Sequence, residues 1–379
     1  MKKMKTASFF LLVIFLFALD NPVSAALPSN ELWREDLINN VVGFGKNTIG
    51  GKGGTLCQVT NLNDSGAGSL RACAEAVGPM WITFTVSGTI TLQSVIHVKS
   101  YKTIDGRGQN IVISNKGITI GTWETVTGPV SHVIIHNISM KNNYSNGMII
   151  VAENASNVWI DHCTFQNAID EILYVGSGST LVSNHIAPYG VTISWNHFLY
   201  PTDDQTWNWA ALLVSDPSDT VDVATTITIH HNHYQTNARH PLARWAKVHS
   251  FNNYYHLGQR SGTNTTGAQI RTHGQFYSEN EIFDAQHTDG YPVIKVDQYP
   301  AFGDSLPDNV KIVNPWLING AKVEQLNPST IFVPSSYYSY TPDTANAALQ
   351  TAIINGAGRQ NVTTPISLQA PTNLAVVAE

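Results

Sequence analysis

The segment VTISWNHF, Val191 to Phe198, alternates apolar with polar residues, sets an asparagine at the fifth position after its first valine and an aromatic at the seventh. The same frame returns in VIIHNISM from Val133, VWIDHCTF from Val158, ITIHHNHY from Ile227 and VHSFNNYY from Val248. Across these five units the seventh position is Met140, Phe165, Phe198, Tyr234 and Tyr255, and the fifth is Ile138, Cys163, Asn196, Asn232 and Asn253. Alternation of this kind is the period of a strand, whose side chains point to opposite faces at successive residues.

Successive anchors lie roughly 20 to 36 residues apart, the range of repeat architectures. An asparagine at the same place in successive units stacks its amide in a ladder at a turn. The sequence therefore predicts an all-β protein, a single-stranded right-handed parallel β-helix whose uneven spacing reflects loops growing out of the rungs. A propeller would show about four strands per repeat and its own signature, and neither is found. Ahead of the first aligned rung, WITFTVSGTITL (Trp81 to Leu92) and KTIDGRGQNIVI (Lys102 to Ile113) supply further strands between glycine turns.

The chain has 379 residues, and its beginning reads as a secretory signal: Lys2, Lys3 and Lys5, then FFLLVIFLFAL (Phe9 to Leu19), then NPVSAA. Cleavage after Ala25 is expected, with residues 1–25 as signal peptide and 26–365 as one β-helix domain. The closing residues 366–379 are either a tail without fixed structure or, from APTNLAVVAE, the first strand of a truncated fibronectin type III module. Charged residues make up 13% and the formal net charge is -6, which argues against a general nucleic-acid binder. No other stretch is suited to crossing a bilayer, and a secreted monomer is expected. Of three cysteines, Cys57 and Cys73 are expected to pair in an oxidising compartment, while Cys163 falls in an apolar strand as a small buried hydrophobe.

Several segments together resemble the pectate lyase and pectin lyase superfamily, polysaccharide lyase family 1. They are GGKGGT, GSLRAC, KTIDGRG, NVWIDHCTF, VTISWNHF, ARHPLAR and VHSFNNYY, in the family's order between Gly50 and Phe283. The resemblance implies cleavage of galacturonan, an acidic plant cell-wall polysaccharide, by β-elimination. It assigns Arg239 as the base and Arg244 as a carboxylate-binding residue, from the motif R-x-P-x-x-R, and Arg271 as a further substrate-binding arginine. No Lys or Arg occurs from Asn142 to Ala238, so these arginines break a long window without basic residues. An odd offset on a strand ordinarily opposes two side chains, so Pro241 and Leu242 are expected to bend the chain and bring Arg239 and Arg244 to one groove.

Calcium-dependent members of the family carry aspartates and a lysine that this chain largely lacks. The first aspartate falls on Met148, or on Asn146 if shifted; Asp170 keeps the next; Tyr174 stands at its partner, followed by Gly178 and Ser179. Calcium is thus a cofactor by resemblance, with Asp170 as the metal residue that remains and the usual primary site degraded. Asp203 and Asp204 lie in a departure, PTDDQTWNWA, that also brings Trp207 and Trp209, expected to stack on sugar rings or to fill space.

A calcium-independent pectin lyase, a catalytically silent polyuronate binder and a polygalacturonase stand as alternatives, the last requiring a carboxylate pair of which only Asp203 and Asp204 are adjacent. The HHNH run (His230 to His233) reads as rung packing, and Asp161 and His162 as turn and ladder residues. Asn137 and Asn264 head glycosylation sequons.

Overall fold

The computed structural model describes residues 36–123, 128–143, 147–176, 186–199, 210–215, 224–236, 239–257, 267–285, 292–296, 305–307, 309–326, 328 and 330–361. Among these residues the strands form three sheets of ten, nine and eight members, and every pairing between named strands is parallel. One rung runs Ala155–Asp161 in the first sheet, Thr164–Ala168 in the second and Glu171–Val175 in the third. The chain then climbs to Tyr189–Ser194 and repeats. The expected parallel β-helix is the observed fold. The leader, the tail, Trp207, Trp209, Asp203, Asp204, Asn146, Gly178, Ser179 and Asn264 lie outside the described residues.

One continuous apolar core fills the coil, fed by all three sheets. The seventh-position aromatics form a stack through it: Phe165, Phe198, Tyr234, Tyr255 and Phe283 follow one another at ring separations of 5.3, 4.8, 5.0 and 4.8 Å. On six successive rungs the corner between first and second sheets is a left-handed residue, at Asn137, His162, Trp195, His231, Asn252 and Asn280. Bulky residues rarely adopt that conformation. What holds it is the next residue inward, where the predicted amide ladder runs: Asn196 Nδ2 donates to Asn232 Oδ1 at 3.0 Å and Asn232 Nδ2 to Asn253 Oδ1 at 2.9 Å. Asn196 Oδ1 also accepts the backbone N–H of Cys163 at 2.8 Å, so the buried cysteine ends the ladder below. Burial pushes its thiol up to about 12, consistent with an inert filler.

Both ends of the described chain lie against the outside of the coil. Leu37, Ile38 and Val41 cover Trp81, Ile134 and Trp159 on the outer face of the first sheet. A ten-residue helix, Ala347–Gly356, capped by Asn346, lays Leu349 and Ile353 on Tyr254 and Ile282 of the second sheet. No helix among the described residues is long and apolar enough to cross a membrane. The GGKGGT motif is explained by close approach, since a Cβ on Gly51 would sit 1.9 Å from the Met80 carbonyl oxygen. Cys57 and Cys73 are bonded, as expected, stapling the first strand to the short helix Leu70–Ala74.

Candidate active site

The third sheet carries the arginines, and its register orders them. Leu213 pairs with Leu242 and Leu242 with Gln269, which puts Arg244 and Arg271 at equivalent positions just past the ends of successive strands. Each is tied down by its backbone: Arg244 N–H donates to Val214 O and Arg271 N–H to Ala243 O, both at 3.0 Å. Both side chains are buried, at 5% and 6% exposure.

Arg239 enters the same strand from its other end. The chain turns there through a left-handed residue, φ 63°, while His240 goes inside, fully buried, stacked on Tyr234 and within 3.1 Å of Thr236 Oγ1. Leu242 and Ala243 follow inward or against neighbouring strands. The chain therefore bends at Arg239 and His240, ahead of the bend expected at Pro241 and Leu242, and Arg239 is left half-buried.

These three arginines are close enough to act on one another. Burial and the charge of Arg271 lower the Arg239 guanidinium below its ordinary range, Arg244 adds to this, and Glu171 and Asp170 oppose it. Glu171 opens the strand Glu171–Val175, which lies two strands below Leu242–Ala243 in the third sheet. Burial, then the charge of neighbouring Asp170, push its carboxyl up to about 7. The patch thus combines three cations and two carboxyl groups, and its positive charge is concentrated on the upper rungs.

Met148, which stands where the resemblance puts the first aspartate, is fully buried in the core beside Ile172. The residue next to Tyr174 on the outer face is Ile150. Ile150, Ala152 and Tyr174 are buried together there, with Leu213 and Trp123 packed on them, the Trp123 and Tyr174 rings meeting edge to face at 5.5 Å. Calcium takes about six to eight oxygen ligands. The described residues offer Asp170 and Glu171 beside an apolar cluster, a donor set that does not fit the ion. Trp123 and Ile150 carried no motif in the sequence; only pairing each strand with its neighbour exposes them.

A family model described as pectate lyase matches residues 85–362. The chain is 32% identical over 277 residues to "Pectate lyase 1" of Hesperocyparis arizonica, covering 64% of this chain and 70% of that protein. It is 34% identical over 264 residues to "Probable pectate lyase 16" of Arabidopsis thaliana, spanning 62% of this chain and 61% of the relative's length. Among solved structures, the cedar pollen allergen jun a 1 superposes with a TM-score of 0.65 at 24% identity, covering 86% of this chain and 95% of that one. A pectate lyase from Bacillus sp. N165, solved in complex with trigalacturonate, gives 0.62 at 22% identity, covering 84% and 98%.

Proposed function

Because the chain belongs to the pectate lyase family, we propose that it is a secreted polysaccharide lyase cleaving homogalacturonan by β-elimination. Arg239 takes the C5 proton of a galacturonate unit, α to its carboxyl group. The C–H electron pair becomes the C4=C5 double bond, and the glycosidic oxygen leaves C4 with a proton from solvent. Arg244 and Arg271 hold the carboxylate and disperse the charge that builds on it.

The observation that carries this reading is half-buried Arg239 leading into the strand that ends at Arg244, with Arg271 at the equivalent position one rung on and their charges bearing on it. A guanidinium is ordinarily too basic to give up its proton near neutrality. Burial and like charge both favour its neutral form, which is the form a base needs.

A second reading concerns the ester state of the substrate. Removing a proton beside an ionised carboxylate builds a second negative charge, which a methyl ester avoids. The apolar cluster of Ile150, Tyr174, Leu213 and Trp123, with Tyr174 at a position where the resemblance expects an aspartate, supports an uncharged, methylated unit. No step of the proposed reaction passes through calcium.

The test is an absorbance assay for the unsaturated uronide, on polygalacturonate and on highly methylated pectin, each with calcium or with chelator. Product on either polymer, undiminished by chelator, is the expected result. Activity abolished by chelator restores a metal to the mechanism. Reducing ends without unsaturation indicate a hydrolase, and binding without turnover indicates a silent polyuronate binder.

A further inference from the structure

The outer face of the first sheet bears a polar column unrelated to the arginine patch. Strand pairing aligns Asp105, His136, Asp161, Ser194 and His230 on successive rungs. Asp161 is its centre: one carboxylate oxygen lies 2.9 Å from His136 Nδ1 and 2.6 Å from His162 Nδ1, and the other accepts the Ser194 hydroxyl at 2.5 Å. Ser194 in turn accepts Trp159 Nε1–H at 2.8 Å. This is no acyl-transfer triad, because the serine bonds the carboxylate directly with no imidazole between them.

We propose that His136, Asp161 and His162 form a binding site for a divalent transition-metal ion of the zinc class. One ligand atom from each lies within 4.8 Å of the others. The Nδ1···Oδ2 separations approach the edge of a coordination polyhedron with metal–ligand bonds of about 2.0–2.2 Å, so small rotations complete the set. Two imidazoles and one carboxylate suit zinc, nickel or copper and supply too few oxygens for calcium. Neutral imidazoles need only shift the Nδ1 proton to Nε2 to coordinate.

Two further features point to an ion there. The cluster opens into a cavity of about 720 Å³, lined also by Asp36, Asn40, Trp195 and His230, which leaves room for water on the remaining coordination positions. His230 is 6% exposed, and its Nε2 is buried with no hydrogen-bond partner among the described residues. Its Nδ1 faces His231 Nδ1 at 3.0 Å. Meanwhile the ligands are already oriented: Ser194 and Trp159 fix the Asp161 carboxylate, and the His162 ring stacks on Trp195 at 5.7 Å. The cavity is walled by both ends of the described chain, since Asp36 and Gln360 both line it and Gln360 is hydrogen-bonded to Asn137.

The experiment uses the full chain after chelator treatment and removal of the chelator. Zn²⁺ is titrated by calorimetry, with Ca²⁺ as comparison, and Co²⁺ is followed by its visible absorption. One zinc equivalent is expected, with visible cobalt bands, a negligible calcium signal and a higher unfolding midpoint in zinc. His162→Ala, at the most accessible of the three ligands, is expected to weaken zinc binding at least 10-fold and to remove the midpoint shift. His136→Gln gives a second, independent loss. Absence of zinc heat and cobalt bands in the unsubstituted protein overturns the proposal. So does zinc binding that survives His162→Ala and His136→Gln but disappears in His197→Ala, which would assign the ion to the second sheet, where the rings of His197 and His233 stack at 4.4 Å. Elimination activity is not a readout, so failure of this site leaves the proposed lyase reaction untouched.

Discussion

Arg244 and Arg271 occupy one register column on adjacent rungs, so their backbones are about 4.8 Å apart, the spacing of paired strands. Both residues are buried, and each takes part in a further interaction with the surrounding fold. A carboxylate entering between them would gain two charge-assisted contacts. Arg244→Ala and Arg271→Ala are each expected to lower kcat/KM by about 1.5–3 kcal/mol, roughly 10- to 150-fold. Arg239→Lys is expected to abolish unsaturated product while leaving the circular dichroism spectrum unchanged; undiminished turnover would remove Arg239 from the mechanism.

The apolar cluster offers a way to separate the two substrates. Trp123 touches Tyr174 edge to face and shields Ile150 and Leu213. Trp123→Ala is expected to reduce turnover of highly methylated pectin more than that of polygalacturonate, because it removes apolar contact area and no charge. An equal effect on the two polymers would mean that the cluster only supports the wall of the coil.

The amide ladder should dominate local stability. Asn232 is fully buried, and it satisfies Asn196 N–H and Nδ2 with its oxygen while its own Nδ2 donates to Ile193 O and Asn253 Oδ1. Asn232→Ala leaves these groups dry and unpaired, at about 1–3 kcal/mol for each that water cannot reach. The expected outcome is a lower denaturant midpoint with KM unchanged in the surviving folded fraction. A midpoint within error of the parent protein would show that water enters the corner.

Much of this architecture was legible because coiling imposes one constraint at every turn. A residue that must point inward on one rung has a counterpart on the next, so Phe165, Phe198, Tyr234 and Tyr255 repeat in the sequence as they stack in space. The arginines were legible through a motif, and the register that sets Arg244 beside Arg271 is not visible in it. The outer surface has no such rule. That Met148 lies in the core is not readable from spacing, which does not tell which face a residue takes after an irregular corner. Trp123 is far in sequence from the strands it covers, and its contact with Tyr174 spans two rungs. Glu281 was within reach: extending the rung frame to Phe276 puts it at the fifth position and Phe283 at the seventh.

Glu281 ends the ladder at its upper side, and it makes stability depend on pH. Its oxygens accept Asn253 N–H and the Ser250 hydroxyl, and Asn253 Nδ2 donates to it at 3.1 Å. It is fully buried, and burial pushes its carboxyl up to about 8 from an ordinary 4.5, against the pull of those hydrogen bonds. A group whose folded pKa is raised contributes stability that is complete below its unfolded pKa and is lost as pH climbs through the folded one. Between about pH 4.5 and 8 the unfolded chain releases this proton while the folded chain keeps it, so unfolding free energy falls by up to about 1.4 kcal/mol per pH unit from this group alone. Glu281→Gln removes the titration, at the cost of one acceptor. The substituted protein is therefore expected to be the less stable of the two near pH 5 and to close the gap, or pass the parent, by pH 8. Denaturant melts at pH 5, 6, 7 and 8, spanning about the window between the two pKa values, measure it directly. Parallel curves for the two proteins would mean that Glu281 titrates alike folded and unfolded, and that the ladder ends on an ionised carboxylate.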